Sequence, residues 1–391
     1  MRLKMELYIP RSFNVPKQSF FLFGPRGTGK STLLKKIFNQ AVWVDLLKPD
    51  LFRRYSAKPE YLIELVKGNP DNKYIVIDEI QKVPELLSAV HHLIEEEKSK
   101  IFILTGSSAR KLKRTGIDLL SGRVIVRSLH PFLACELKNK FNLESALNIG
   151  LLPIVITAKD PKEVLDAYIS LYIKEEVQLE SLTRNIGNFS RFLESISFSH
   201  ASVLNISNVS RECEVERKVV ENYVKILEDI LLAYRIPIFA KKAKRSLISH
   251  QKFYFFDAGV YNTLRPKGPL DKPEDIVGTA LEGIVMQHLK AWNAYRGNKY
   301  QIYYWRTRKG VEVDIILYGS EGIYSMEVKN TSKIRPEDIR SLQSFKEDYP
   351  QSKSILLYRG KEKLLIKNII CLPCDYFLKK LDPGKDLKEI I

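Results

Sequence analysis

A glycine-rich segment with a single lysine follows the first apolar run of the chain. The segment GPRGTGKST begins at Gly24, directly after Phe20 to Phe23, and leads into the helix-like sequence STLLKKIF. It matches G-x-x-x-x-G-K-[ST], a pattern in which backbone N–H groups and a helix N-terminus surround phosphates. Lys30 is expected to reach the β- and γ-phosphates of ATP, and Ser31 to ligate Mg²⁺. The predicted nucleotide site consists of Gly24, Pro25, Arg26, Gly27, Thr28, Gly29, Lys30, Ser31 and Thr32.

Two adjacent acids end the next strongly apolar run. In KYIVIDEIQKVP, Tyr74 to Ile77 have the character of a buried parallel strand, and Asp78 and Glu79 follow. We expect Asp78 to hold the magnesium ion through its water shell, and Glu79 to orient and deprotonate the attacking water. A third apolar run ends near Ser107, which either contacts the γ-phosphate or is an ordinary residue of a strand-to-turn junction. The acidic pair predicts hydrolysis of ATP in addition to binding.

Phosphoryl transfer also requires a cation near the developing charge, often an arginine from the same or a neighbouring subunit. The candidates are Arg110, Arg123 and Arg127. We favour Arg123, because a glycine precedes it and a strand follows, although each of the three is equally consistent with a surface arginine. An arginine supplied by a neighbouring subunit (an arginine finger) would require a homo-oligomer.

A second group of acids lies far along the chain. Glu282 belongs to the helix-like segment GTALEGIVMQHLKAW, on the side of its apolar stripe. Alternation in VEVDIIL places Val311, Val313, Ile315 and Leu317 on one strand face and Asp314 on the other. In IYSMEVKN, Glu327 and Lys329 share a face. One strand, a tight turn and a second strand would bring these side chains together.

Carboxylate oxygens in such an arrangement suit one or two Mg²⁺ or Mn²⁺ ions. Asp314, Glu327 and Glu282 are the predicted ligands, and Lys329 would position a water or stabilise the charge on a phosphate. Gln343 on the following helix is a weaker candidate. The pattern predicts a metal-dependent phosphodiesterase site, with a nuclease-like fold that has lost cleavage as the alternative.

The middle of the chain contains three helix-like segments followed by two apolar runs joined by a basic stretch. This order favours a winged helix, whose third helix enters the major groove of DNA while the wing contacts phosphates. The alternative is a rigid spacer or lid on the ATPase. The candidate DNA contacts are Arg211, Arg217, Lys218, Lys241, Lys242, Lys244 and Arg245.

Composition narrows the class of protein. The chain has 391 residues, 45% of them hydrophobic, and a formal net charge of +17. The length suits two or three domains, and the charge favours a polyanionic partner. DNA ranks above an anionic membrane surface, which rests on charge alone. An N-terminal apolar leader and an apolar run of spanning length are not apparent, so we expect a cytoplasmic protein.

The segments GPRGTGKST, YIVIDEIQKVP and ILTGSSARKL resemble the AAA-type ATPases of bacteria and archaea that carry an uncharacterised C-terminal region. Later segments, among them KILEDILLAYRIP and KFYFFDAGVYN, extend this resemblance over most of the chain. The D…ExK pattern resembles the PD-(D/E)xK nucleases, and its spacing is similar to that of archaeal Holliday-junction resolvases.

These resemblances imply an α/β fold in three parts. Residues 1–155 are predicted to form an AAA-type P-loop ATPase domain with a parallel sheet, residues 156–265 a helical winged-helix module, and residues 266–391 an α/β restriction-endonuclease-like domain. The predicted function is ATP-driven processing of DNA. The alternative is a nucleotide-driven regulatory or defence switch that binds DNA or protein without cleaving.

Overall fold

The glycine-rich segment lies on a five-stranded parallel sheet. The elements of this part are β1 (Phe20–Phe23), α1 (Lys30–Ile37), β2 (Val42–Asp45), α2 (Pro49–Ala57), α3 (Tyr61–Lys67), β3 (Tyr74–Asp78), α4 (Leu86–Glu96), β4 (Ile101–Gly106) and β5 (Ile125–Ser128). The strand order is β2–β3–β4–β1–β5, so β1 lies between β4 and β5. Every residue of β1 is buried, as its continuous apolar run indicates. The predicted α/β fold of a P-loop NTPase is confirmed for this region.

The structure, a computed structural model, describes residues 8–107, 120, 122–173, 186–240 and 250–391. The chain divides into two compact units. The P-loop unit comprises residues 13–130 with 229–231, and the larger unit comprises the rest. Residues 131–155 belong to the larger unit, whereas the predicted first domain extends to residue 155. The division into three parts stays a prediction.

Short helices and a small antiparallel sheet form the first part of the larger unit. Its elements are α5 (Ala134–Leu137), α6 (Leu143–Ile149), α7 (Pro153–Ile156), α8 (Pro161–Ala167), α9 (Ile186–Ser197), β6 (Ser202–Val203), α10 (Ile206–Cys213), α11 (Arg217–Asp229), β7 (Ala233–Ile236), β8 (Lys252–Phe255) and α12 (Ala258–Leu264). Strand β8 pairs with both β6 and β7 in antiparallel fashion. The apolar face of α11 is buried, which fixes its exposed face on the opposite side.

A long helix and a six-stranded mixed sheet form the rest of the larger unit. The elements are α13 (Pro273–Tyr295), β9 (Tyr300–Arg306), β10 (Glu312–Gly319), β11 (Gly322–Lys329), α14 (Arg340–Asp348), β12 (Lys353–Tyr358), β13 (Leu364–Ile366), β14 (Ile369–Pro373), α15 (Cys374–Lys380) and α16 (Leu387–Ile390). Strands β9, β10 and β11 are antiparallel neighbours, and β12 pairs with β11 in parallel. The order in the sheet is β13–β14–β12–β11–β10–β9.

A β-bulge corrects the predicted alternation in β10. Val313 pairs with Trp305 and Ile316 pairs with Tyr303, so three steps along β10 match two along β9. Val313 and Ile316 therefore lie on the same face and in one core cluster. The prediction that Val313, Ile315 and Leu317 share a face is wrong, because the extra residue reverses the pattern. Asp314 lies within this bulge.

Close backbone packing joins α6 to α12. The Asp257 carboxylate is buried and accepts hydrogen bonds from the backbone N–H groups of Leu151 (2.8 Å) and Gly259 (2.9 Å). A Cβ atom on Gly259 would lie 2.3 Å from the carbonyl oxygen of Ile149. The backbone at Gly259 therefore lies so close to the backbone at Ile149 that a side chain does not fit at position 259. This close contact explains why residues 131–155 pack within the larger unit.

Replacing Gly259 by alanine should lower the free energy of unfolding by about 2–3 kcal/mol, because the methyl group must displace backbone. Chemical denaturation of the full chain would measure the loss. Gly268→Ala is the matched control, since a Cβ there meets one atom, at 3.9 Å, and should change stability by less than about 0.5 kcal/mol. Equal stability of the two variants would contradict this account of the packing.

Candidate functional site

The loop between β1 and α1 adopts a conformation that requires glycine. Gly27 and Gly29 have φ angles of 81° and 83°, in the left-handed region that side chains disfavour. A Cβ atom on Gly24 would lie 2.4 Å from the carbonyl oxygen of Leu129. The Thr28 hydroxyl donates to the carbonyl oxygen of Pro25 (2.8 Å) and ties the loop together. The backbone is therefore held in the curved form that suits a phosphate.

Lys30 lies inside this loop. Its side chain is buried, and its ammonium group donates to the carbonyl oxygens of Gly24 (2.7 Å) and Pro25 (3.2 Å). These contacts hold a positive charge among the backbone groups that the motif assigns to phosphate binding. The loop and Lys30 together fit a nucleoside triphosphate.

Asp78 lies at the carboxyl end of β3, and it is fully buried. It accepts hydrogen bonds from the hydroxyl groups of Thr105 and Ser31. Burial raises the pKa of Asp78 above its ordinary value, and these hydrogen bonds oppose the rise. The structure thus brings the two predicted magnesium ligands, Ser31 and Asp78, into direct contact, a donor set that fits Mg²⁺.

Glu79 is held by a small polar network. It adopts a left-handed backbone conformation with φ of 59°, and its N–H donates to the Thr105 hydroxyl (2.9 Å). Its carboxylate accepts from the Gln81 amide and from the Ser107 hydroxyl (3.1 Å), and the same amide donates to the Ser107 oxygen (3.0 Å). Ser107 therefore contacts the predicted base itself.

Sequence reasoning missed Thr105 and Gln81. Thr105 is a hydroxyl residue within the third apolar run, and Gln81 follows the acidic pair by two positions. Both side chains are buried. A polar residue inside a buried strand was the available signal for Thr105, whereas the turn that directs Gln81 back to Glu79 is visible only in the structure.

Arg123, the favoured candidate for the arginine finger, lies at the edge of the sheet opposite the phosphate loop. Phe20 pairs with Ile125 and Phe23 with Ser128, so β1 and β5 run in the same direction. Arg123 precedes β5 and is therefore near the start of β1, whereas the phosphate loop follows its end. The Arg123 guanidinium forms an ion pair with Glu95. A role for Arg123 at the nucleotide of its own chain is not supported.

The structure describes one of the other two candidate arginines. The Arg127 guanidinium donates to the carbonyl oxygen of Val126, and Arg110 lies outside the described residues.

The structure brings the acids of the larger unit close together. Glu282 on α13 and Asp314 on β10 both contact one buried ammonium group, and Glu327 on β11 pairs with Lys329 (2.7 Å). Burial, and then repulsion from Asp314, raise the pKa values of Glu282 and Glu327 to about 8. The four predicted side chains thus belong to one electrostatically coupled cluster, which we call the acid cluster.

The ammonium group at this position belongs to Lys252, the first residue of β8. It lies 2.7 Å from Glu282 Oε1, 2.7 Å from Glu312 Oε1 and 3.2 Å from Asp314 Oδ1, and Lys252 is only 1% exposed. Burial alone would lower the pKa of Lys252, but the surrounding acids, Glu282 foremost, raise it well above its ordinary value. Lys252 is therefore a permanent cation. Sequence reasoning missed Lys252, since a lysine at the start of an apolar run is typical of a solvated strand end.

The acid cluster does not fit a divalent metal in this conformation. Asp314 directs Oδ1 to Lys252 and accepts the Val328 N–H with Oδ2 (2.9 Å). Glu282 Oε1 faces Lys252 and also accepts from the Tyr254 hydroxyl (2.5 Å). Within the described ranges, no three His, Cys, Asp or Glu side chains are placed to hold a metal ion. The predicted metal ligands are therefore engaged by cations in this structure, Glu282 and Asp314 by Lys252 and Glu327 by Lys329, and their role in binding metal stays a prediction.

The candidate DNA contacts are described in part. Arg211, Arg217 and Lys218 are exposed near the start of α11, and Arg211 donates to Asn208 Oδ1 (2.6 Å). Lys241, Lys242, Lys244 and Arg245 lie outside the described residues. The chain before them is anchored, because the Phe239 N–H donates to the Tyr304 carbonyl oxygen (2.7 Å) on β9.

Three family models match the chain. An AAA domain matches residues 16–138, a domain of unknown function (DUF8612) matches residues 140–271, and another (DUF4143) matches residues 277–377. Uncharacterized proteins of Mycobacterium tuberculosis and Mycobacterium bovis are each 25% identical over 368 residues, which cover 91% of this chain and 80% of the relative. None of the helices in the described part of the chain has the length and apolar character needed to cross a bilayer.

Two solved structures are remotely similar. The ORC2 protein of Aeropyrum pernix in its ADP form has 13% identity and a TM-score of 0.31, covering 69% of this chain and 88% of its own. The replication initiator DnaA bound to AMPPCP and single-stranded DNA has 14% identity and a TM-score of 0.25, covering 54% and 82%. Likenesses this weak carry no argument. The match to the AAA-domain model and the geometry of the phosphate loop identify residues 16–138 as an AAA-type ATPase domain with a P-loop NTPase fold.

Proposed function

We propose that this protein hydrolyses ATP and uses the energy to act on DNA. The observation that carries the first half is the meeting of Ser31 with Asp78 beside a phosphate loop that encloses Lys30. Bound Mg²⁺ would neutralise phosphate charge at Ser31 and Asp78. Lys30 would contact the β- and γ-phosphates, and the predicted loop residues from Gly24 to Thr32 would surround them.

Glu79 is the proposed general base. Its carboxylate would accept the proton of the attacking water, and Gln81 and Ser107 would hold it in the required orientation. Since Arg123 lies at the opposite edge of its own sheet, it could supply a finger only to a neighbouring copy. A homo-oligomer is therefore part of the proposal if Arg123 has this role.

Lys30→Ala should abolish nucleotide binding, because the loop loses its charge. Glu79→Gln should bind ATP normally but hydrolyse it about 10²- to 10⁴-fold more slowly, because the base is lost. Fluorescent-nucleotide titration and phosphate release would separate the two effects. Glu64→Gln changes an exposed carboxylate that pairs with Lys58 and should leave both intact. Full hydrolysis by Glu79→Gln would remove Glu79 from the mechanism.

Gln81→Ala should lower kcat roughly 10- to 100-fold through misorientation of Glu79, with little change in KM. Steady-state ATPase kinetics would show this separation, and Gln40→Ala, at an exposed position, is the control. A rise in KM with unchanged kcat would instead assign Gln81 to nucleotide binding.

The proposal that DNA is the partner rests on charge and on the order of elements. The net charge is +17, and Arg211, Arg217 and Lys218 are exposed together. The order α9–β6–α10–α11–β7–β8, with three antiparallel strands, supports a winged helix in the predicted module of residues 156–265. The family-model boundaries near residues 139 and 274 support the three-part division.

The double variant Arg217→Glu/Lys218→Glu should weaken duplex binding and reduce its salt dependence, since two phosphate contacts are lost. Fluorescence anisotropy at several salt concentrations would measure both. Lys388→Glu, an exposed charge change on α16, should alter affinity less. Unchanged salt dependence in the double variant would exclude α11 as the DNA-binding helix.

We further propose that the C-terminal region is nuclease-like. The order α13–β9–β10–β11–α14–β12, with the acid cluster on α13, β10 and β11, supports a relationship to the PD-(D/E)xK fold. Cleavage with Mg²⁺ or Mn²⁺ is the first candidate activity. A specific observation, Lys252 among the acids, favours the second candidate: a nucleotide-driven switch that binds DNA or protein without cutting. Incubating plasmid and junction DNA with wild type and Asp314→Ala would decide between them, because cutting that requires Asp314 excludes the switch.

A further inference from the structure

Lys252 reaches the acid cluster from another part of the fold. It is the first residue of β8, and in the sheet it pairs with Ile236 on β7 and Val203 on β6. The acids belong to α13, β10 and β11 instead. The cation and the carboxylates therefore come from two different sheets, which are linked by backbone hydrogen bonds of Pro237 and Phe239 with Tyr304.

Lys252 compensates part of the negative charge of the acid cluster. The carboxylates and the cations that pair with them are Glu282, Glu312, Asp314 and Glu327 on one side, and Lys252, Arg306 and Lys329 on the other. Lys252 is thus the cation that three of these four carboxylates share. Its removal would leave the crowded acids one positive charge short.

The oxygen atoms that would bind a metal are the ones that Lys252 uses. Glu282 Oε1 and Asp314 Oδ1 both face its ammonium group, at 2.7 and 3.2 Å. A Mg²⁺ ion coordinates oxygen at about 2.0–2.1 Å, so it could reach these same atoms only by taking the place of the ammonium. Lys252 and a metal are mutually exclusive at this position.

We propose that Lys252 is a built-in cation that closes the acid cluster to divalent metal, so that a metal ion binds there only when the ammonium group leaves the carboxylates. This inference rests on the proposed nuclease-like assignment of the C-terminal region. It makes Lys252 an autoinhibitory residue.

The test is to measure Mn²⁺ binding to the full-length protein by isothermal titration calorimetry, without nucleotide. Wild type should bind no more Mn²⁺ than Asp314→Asn does. Lys252→Met, which keeps the length of the side chain without its charge, should gain one site about 10- to 100-fold tighter than any in wild type, the range by which groups around a metal site alter affinity. Adding Asp314→Asn to Lys252→Met should remove that site, and Lys252→Arg, which restores the charge, should lack it.

Two outcomes would overturn the proposal. One is a wild-type Mn²⁺ site that Asp314→Asn abolishes, and the other is a folded Lys252→Met protein without a new site. Should Lys252→Met not fold, acetylation of wild-type lysines read by mass spectrometry gives the answer. Lys252 should stay unreactive with and without millimolar Mn²⁺, while the exposed Lys225 reacts in both; reactivity of Lys252 that rises with Mn²⁺ would show displacement by metal and contradict the proposal.

These measurements do not depend on cleavage. Loss of ATPase or of DNA binding would defeat the proposed function and leave the Mn²⁺ comparison unchanged. A new Mn²⁺ site in Lys252→Met without any DNA cutting would support the closed cluster while ending the nuclease candidate.

Discussion

A carboxylate that leaves water must meet a cation or several hydrogen-bond donors, since an isolated buried charge costs several kcal/mol. Both candidate sites follow from this constraint. At the end of β3, the hydroxyl groups of Thr105 and Ser31 face Asp78. In the larger unit, Lys252 faces Glu282, Glu312 and Asp314. The first solution uses neutral donors, and the second uses a full positive charge.

This difference separates the two sites chemically. Hydroxyl groups leave the charge of Asp78 uncompensated, so that site retains a demand for a cation, which Mg²⁺ brought with a nucleotide can meet. The ammonium of Lys252 already meets the demand of the acids around it. Two groups of acids that look alike in sequence, each after an apolar run, therefore differ in their readiness to bind metal.

The parallel sheet explains why the nucleotide site was predictable. Parallel strands present their carboxyl ends at one edge, so residues that follow β1, β3 and β4 must lie together. Gly24, Asp78 and Ser107 each follow or end such a strand. Arg123 lies at the other edge because it precedes its strand, and direction in a parallel sheet decides which edge a residue occupies. The strand order that places β5 beside β1 was needed to see this.

By itself, the sequence determined the phosphate loop, the acidic pair, and the approach of Lys329 to Glu327, because short-range spacing and strand polarity fix which side chains can approach one another. Tertiary structure alone decided the bulge at Asp314, the network of Gln81 with Glu79, and the presence of Lys252 among the acids. For Lys252, the physical reason is distance along the chain. Lys252 precedes Asp314 by 62 positions, and a contact between separate sheets depends on how those sheets pack, which periodicity in either segment does not encode.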